Sequence, residues 1–309
     1  LINEMCFSQS IYFILFWFLS IVGTATFGFT LNDAFDAQTD KKAGKINFFS
    51  LLAKWKQYSI ILLSLILAII PWFFLDLNTV SLFLLVSQIL LLVLYSVPPF
   101  RFKNRVYLSL ICDSLYSGLI FIVAIIISGN CNASNLALIL AISLILFLRG
   151  IRNILIHQII DAKNDTKTNT KTFVIVYGEK IVYKILSFVL LPLEIVLISL
   201  LCVFLILNLR FSWLIIPMLI VFYAIKLFDA KAEKNKTLKM QIINDFYEDI
   251  LPFTILILLS IQDIYFIIIL IIHVIIFRNK VLWLILPWVY YKLFYNNYAQ
   301  RIFRILRKK

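Results

Sequence analysis

Apolar runs long enough to cross a hydrocarbon core recur through the sequence, at about 9–31, 57–75, 79–97, 106–128, 135–158, 181–207 and 211–228. A spanning helix needs about 20 mostly apolar residues, because lipid offers no hydrogen-bond partner and the backbone must satisfy itself. The chain is therefore expected to be all-α, a polytopic membrane bundle of about eight or nine spans. Between 249 and 277 the pattern admits one long tilted helix or two short ones broken at Gln262-Asp263. With 62% apolar residues and a mean hydropathy of +0.98, the chain carries more apolar surface than a soluble core absorbs.

Charge orients the bundle. The formal net charge is +13, but the cations lie between apolar runs, which points to membrane lipids as partners and not to nucleic acid. Lys41, Lys42, Lys45, Lys54 and Lys56 follow the first run, and Arg101, Lys103 and Arg105 the third. Lys163, Lys167, Lys171, Lys180 and Lys184 follow the fifth, and Lys226, Lys231, Lys234, Lys236 and Lys239 the seventh. The alternate turns at 76–78, 129–134 and 208–211 hold one cation, Arg210. Positive loops face the cytoplasm, so these four are expected inside. The same rule favours the break at Gln262-Asp263, which brings Arg278 and Lys280 inside as well.

Residues 1–280 are expected to form the bundle, open to the cytoplasmic side. Residues 281–309 read as an interfacial helix, with Trp283, Trp288 and Tyr295 as belt residues and Arg301, Arg304 and Arg307 facing anionic headgroups. The four cysteines show no paired spacing, and two histidines are too few for a haem or His-rich metal protein. The first run is too long for a cleavable signal peptide. The chain opens on Leu1, so an N-terminal truncation is expected.

Chemistry concentrates where two of the runs end. Asn32, Asp36 and Asp40 are spaced i, i+4, i+8 and share one helical face. His157, Asp161 and Asp165 repeat the spacing 125 residues later. The segments read alike, Asp36-Ala-Gln-Thr-Asp40-Lys-Lys against Asp161-Ala-Lys-Asn-Asp165-Thr-Lys. A charge at a span centre costs about 2.5–3.5 kcal/mol and is functional by default. One acidic pair at a span end is as readily a solvated pair; two matched pairs on one side argue for a site. Paired carboxylates suit Mg²⁺, which takes oxygen ligands and shares carboxylates with substrate phosphates. Two facing pairs would hold metal ions with a diphosphate between them, and Lys42, Lys45, Lys167 and Lys171 lie close enough in sequence to donate to phosphate oxygens.

A third motif, Tyr95-Ser96-Val97-Pro98-Pro99-Phe100-Arg101-Phe102-Lys103, joins the third and fourth runs. Two prolines stop the helix and stiffen the connection, fixing Tyr95, Arg101 and Lys103 at the membrane surface. Taken alone, this is also what an ordinary proline turn with positive-inside charges looks like.

Together the three motifs resemble the signatures of the UbiA superfamily of intramembrane prenyltransferases, in order and on the expected loops, from about residue 9 to at least 260. The resemblance implies a helical bundle around a central cavity. It implies that Asn32, Asp36, Asp40, Asp161 and Asp165 bind Mg²⁺ and a prenyl diphosphate, with the four aspartates and Tyr95 as catalytic residues. Asn32, Arg101, Lys103, Lys45 and Lys171 would contact the diphosphate, and Tyr95 the reacting allylic end. The implied reaction is Mg²⁺-dependent transfer of the prenyl group to an aromatic or other lipid-soluble acceptor, with loss of diphosphate. Relatives have one more span before the first motif, so the family's first helix is expected to be missing, and with it a basic residue that helps bind acceptor.

Arg149, Arg152 and His157 precede Asp161 within a span and are expected to reach down the same broad face to an acceptor or the diphosphate, unless Arg152 snorkels to the surface. That polar wall raises an alternative known among relatives, phosphoribosyl transfer from phosphoribosyl diphosphate to a polyprenyl phosphate. Asp113 and Glu194 also fall within spans, as cavity groups or structural partners. Outside enzymes, a cation-coupled transporter would place carboxylates near mid-membrane on Gly/Pro-broken helices, whereas here they sit at span ends.

Overall fold

The computed structural model describes residues 7–128, 136–208 and 250–277, with positions 213, 216, 243 and 244 besides. Every regular element among them is a helix. Six are long and apolar enough to cross a membrane, at Ile11–Ala43, Lys54–Phe74, Thr79–Ser96, Val106–Ser128, Leu136–Thr168 and Glu179–Leu207. They coincide with the first six apolar runs, so the all-helical membrane bundle that hydropathy predicts is what the described residues form. Leu63, Phe73, Phe83 and Phe188 are exposed on these helices, an apolar surface suited to lipid tails. The run at 211–228 and the segment 281–309 lie outside the described residues.

Helix α1 (Phe7–Ala43) runs 37 residues, roughly 55 Å at 1.5 Å each, well beyond an about 30 Å hydrocarbon core. The excess carries Asn32 to Asp40 past the apolar run without losing helical register. It stops where Gly44 takes φ +79° and Lys45 N donates to Asp40 O at 2.9 Å, a left-handed cap that satisfies an orphan carbonyl. Helix α6 (Leu136–Thr168) stops the same way, with Asn169 at φ +55° and Thr170 N on Asp165 O at 2.9 Å. The likeness of the two acidic motifs thus extends to how their helices end.

Helix α2 (Lys54–Ile69) lies against α1 at Gly23, where an added Cβ would meet Ala68 N at 2.3 Å. Ser20 Oγ donates to Ala68 O at 2.8 Å and receives Trp72 Nε1 at 2.8 Å. Small residues permit such backbone approach in membranes. Gly23→Leu is expected to push the helices apart at an overpacking cost of about 1–3 kcal/mol, seen as a lower melting temperature in detergent; an unchanged melting curve would contradict this contact.

Helix α3 (Thr79–Ser96) starts at Asn78, whose side chain accepts from Ser81 N, and ends at the prolines. Helices α4 (Val106–Ser114) and α5 (Ile120–Ser128) form one span through a π-helical turn at Leu115–Leu119, where Gly118 has φ +143°. The short α7 (Phe173–Tyr177) is tied to α6 by Gln158 Oε1, which accepts from Phe173 N at 3.0 Å. Helices α8 (Glu179–Ile185) and α9 (Leu191–Asn208) are joined by a second π turn.

From Cys202 onward the chain forms a second compact unit. In it α10 (Leu251–Gln262) and α11 (Phe266–Ile276) are separate helices. Asp263 breaks them, its carboxylate accepting from Tyr265 N at 3.0 Å. The two-helix reading of 249–277 therefore holds. At 12 and 11 residues, each is roughly 17 Å long, short of the about 30 Å core.

Candidate active site

The α1 face carrying Asn32, Asp36 and Asp40 is covered by the loop after α3. Arg101 adopts a left-handed backbone, φ 37° and ψ 60°, which costs a residue with a Cβ about 1–2 kcal/mol. Flanking bonds hold it there: Arg101 N donates to Val97 O at 2.9 Å and Asn104 N to Arg101 O at 3.0 Å. In this setting Arg101 Nη2 donates to Asp36 Oδ1 at 2.8 Å and to Thr39 Oγ1 at 3.2 Å. Lys103 Nζ donates to Asn32 Oδ1 at 2.8 Å and also to Asp36. Burial pushes the Lys103 ammonium below its ordinary pKa, while the Asp36 charge pulls it back up. Arg101 Nε is buried and makes no hydrogen bond.

The α6 face is reached from the other side. Lys45, just past the α1 cap, donates to Asp161 Oδ1 at 2.9 Å. Asn164 Nδ2 donates to the same oxygen at 3.3 Å, and His157 Nδ1 lies 3.5 Å from Asp161 Oδ2. Thr172 Oγ1 donates to Asp165 Oδ2 at 3.3 Å. Asn47 Nδ2 braces the first motif, donating to Asp40 Oδ2 at 2.8 Å and Asp33 O at 2.9 Å. Lys45, bonded to Asp40 O through its backbone N and to Asp161 through its side chain, therefore links the two acidic helix ends.

They also share one cavity, of about 750 Å³. Asn32, Asp36, Asp40, Asp161 and Asp165 line it, with Tyr95, Arg101, Lys103, Lys45 and His157. It follows α1 from Asp40 to Ile21, roughly 28 Å of helix. Leu92, Phe121, Ile122 and Ile125 line it as well, so charged and apolar walls belong to one space.

Five expected residues are not in that lining, Lys42 and Lys167 among them, both exposed. Lys171 is exposed and outside it. Arg149 and Arg152 are also outside it. Arg152 neither snorkels nor faces the cavity: it is fully buried, donating through Nε to Glu194 Oε2 at 2.7 Å and through Nη2 to Glu194 Oε1 at 3.1 Å. The reason is helical phase. Nine residues separate Arg152 from Asp161, two and a half turns, which places them on opposite faces of α6. His157, one turn from Asp161, does line the cavity. Sequence reasoning missed the bracing groups Thr39, Asn47 and Asn164; Thr39 and Asn164 sit three residues from a motif aspartate, a spacing that was there to be read.

The donor set fits Mg²⁺. Among the described residues, no three His, Cys, Asp or Glu side chains converge to hold a metal ion by themselves. Mg²⁺ asks for less, since it keeps several waters and takes one or two carboxylates together with substrate phosphates. Asp36, Asp40, Asp161 and Asp165 supply such oxygens, with Asn32 beside them. In the protein alone Arg101, Lys103 and Lys45 neutralise Asp36 and Asp161, and the same cations suit phosphate oxygens.

Comparison with known proteins gives the fold and the family. Two solved structures of a UbiA homolog from Archaeoglobus fulgidus share the fold, one bound to DMAPP and Mg²⁺ and one to GPP and Mg²⁺. Each is 18% identical, covers 84% of this chain and 88% of its own, and superposes with a TM-score of 0.54 or 0.56 respectively. No curated protein matches the chain significantly. The model of the UbiA prenyltransferase family matches residues 7–246. With more than half of its length matched, and both acidic motifs inside that match, this integral membrane protein belongs to the UbiA prenyltransferase family.

Proposed function

We propose that the chain is a Mg²⁺-dependent prenyltransferase that moves a prenyl group from an allylic prenyl diphosphate to an aromatic or other lipid-soluble acceptor and releases diphosphate. One observation carries this reading: two acidic helix ends and the Arg101–Lys103 loop line a single cavity whose other walls are apolar. The charged part suits a diphosphate and the apolar part its prenyl tail. Asp36, Asp40, Asp161 and Asp165 would hold Mg²⁺, which would supply Lewis-acid neutralisation of the departing charge.

The chain's own groups do the rest. Arg101 and Lys103 trade Asp36 for diphosphate oxygens, and the spare Arg101 Nε adds a donor. Lys45 trades Asp161 for the same group from the other side. Tyr95 presents an aromatic ring, packed edge-on to Tyr116 with centroids 5.1 Å apart, to a developing allylic cation. Apolar walls keep water from that cation. The mechanism is favoured over sugar transfer because the arginine wall that suggested the latter lies off the cavity. By the positive-inside pattern the motif loops face the cytoplasm.

The test is diphosphate release from a panel of allylic prenyl diphosphates, with aromatic acceptors present. Release is expected to require Mg²⁺ and to stop when the metal is chelated. Lys103→Met removes one charged hydrogen-bond donor, about 1.5–3 kcal/mol, and is expected to weaken kcat/KM for the donor by roughly 10–100-fold. Release indifferent to both treatments would remove the assignment.

A further inference from the structure

Below the diphosphate end, the same cavity holds a carboxylate that this mechanism does not use. Asp113 sits seven residues into the span that starts at Val106, roughly 10 Å of helix below the Arg101–Lys103 loop. It lines the cavity. Among the described residues its one hydrogen bond comes from Tyr116 OH, at 2.6 Å to Oδ1, and it forms no ion pair with Lys or Arg. A carboxylate at this depth without a cation is costly and marks function.

The surroundings were built for a polar guest. Immediately past Asp113 the helix opens into the π turn, a feature common at functional sites, and Tyr116, Ser117 and Gly118 of that turn all line the cavity. Gln88 Nε2 takes up the Tyr116 carbonyl at 2.6 Å, while Gln88 Oε1 stays buried without a hydrogen bond. Thr24 Oγ1 is likewise buried and unbonded. Both residues line this cavity and are 3% exposed. A buried polar atom left so costs about 1–3 kcal/mol, and each asks for a partner. The cations in the lining, Lys45, Arg101 and Lys103, are all at the motif loops. Asp113 and Gln88 Oε1 accept hydrogen bonds, so the matching ligand donates them and carries no negative charge.

Resting on the prenyltransferase reading above, we propose that Asp113, oriented by Tyr116, binds and deprotonates the acceptor, a neutral hydroxyl-bearing molecule and not a carboxylate-bearing one. The C1–O bond of the prenyl diphosphate breaks with its electron pair leaving on diphosphate. The acceptor's ring carbon ortho to the hydroxyl supplies the pair for the new bond to C1 as the O–H proton passes to the Asp113 carboxylate, and that carbon's own proton then moves to the oxygen as the ring regains aromaticity. Gln88 and Thr24 take the acceptor's remaining hydroxyls.

The experiment uses the full chain in detergent or nanodiscs, with two acceptor probes, methylhydroquinone and 4-hydroxybenzoate. Mg²⁺-dependent binding of an unreactive thiolo analogue of geranyl diphosphate is measured alongside. Wild type is expected to prenylate methylhydroquinone at least tenfold faster than 4-hydroxybenzoate. Asp113→Asn is expected to keep donor-analogue affinity within about twofold and to lose about 10²-fold in transfer, the range of a general base. Tyr116→Phe, which keeps the ring, is expected to lower transfer about tenfold with donor affinity unchanged; it decides the matter if Asp113→Asn does not fold. Wild-type rates in the variants, a preference for 4-hydroxybenzoate, or no transfer to either probe while donor is bound would overturn the proposal. Wild type failing to bind the donor analogue would instead sink the prenyltransferase reading, and this assignment with it.

Discussion

Asp36→Asn and Asp161→Asn should each cut Mg²⁺-dependent diphosphate release at least about 10³-fold, while the protein still folds. The magnitude follows from what each carboxylate does. Lewis-acid neutralisation of a departing diphosphate is worth several kcal/mol, and about 4 kcal/mol is roughly three decades in rate. Asparagine keeps the size and one oxygen but not the charge that holds a divalent ion. Folding should survive, since both sites lie at helix ends and the partners released are themselves cations near the loops, Arg101 and Lys103 from Asp36 and Lys45 from Asp161. Asp33 is the internal control. It lies beside the motif but off its i, i+4, i+8 face and outside the cavity lining, so Asp33→Asn should leave release within a few-fold of wild type. The measurement is initial diphosphate release at saturating Mg²⁺, normalised to folded protein.

The second large effect concerns stability. Arg152→Met should destabilise the bundle by about 3–5 kcal/mol, because it breaks a fully buried ion pair with Glu194. Both side chains are fully buried. The double variant Arg152→Met/Glu194→Leu should recover most of the loss, since a buried ion pair is often no better than apolar residues of similar volume. Chemical denaturation of the three proteins in one detergent gives the comparison. A double variant as unstable as the single, or a harmless single, would show that the α6–α9 pair does not carry this load. Donor binding by whatever fraction stays folded should be normal, because neither residue lines the cavity.

Much of the site was legible because its logic is local. The i, i+4, i+8 spacing survives intact on α1 and α6, since each helix continues past its apolar run with no glycine or proline before its cap. Gly44 and Asn169, the residues that stop them, belong to the same repeat. The break at Gln262-Asp263 was also visible, since the positive-inside rule asked for it. Arg152 was misjudged for a different reason. Treating Arg149, Arg152 and His157 as one broad face ignored the half-turn accumulated over nine residues, and sequence alone does not say that Glu194 packs against that far face. The π turn that displays Tyr116 was equally hidden, because Gly118 in an apolar run does not announce a positive φ.

The central claim is that both acidic helix ends grip one diphosphate together. It is tested most directly by Mg²⁺-dependent binding of the thiolo donor analogue to wild type, Asp36→Asn, Asp161→Asn and the double variant. Joint action predicts that each single change removes most of the affinity and that the double loses much less than the two losses combined, a coupling of the kind seen for groups sharing one ligand. Losses that simply add, or a single variant that binds as wild type does, would contradict it.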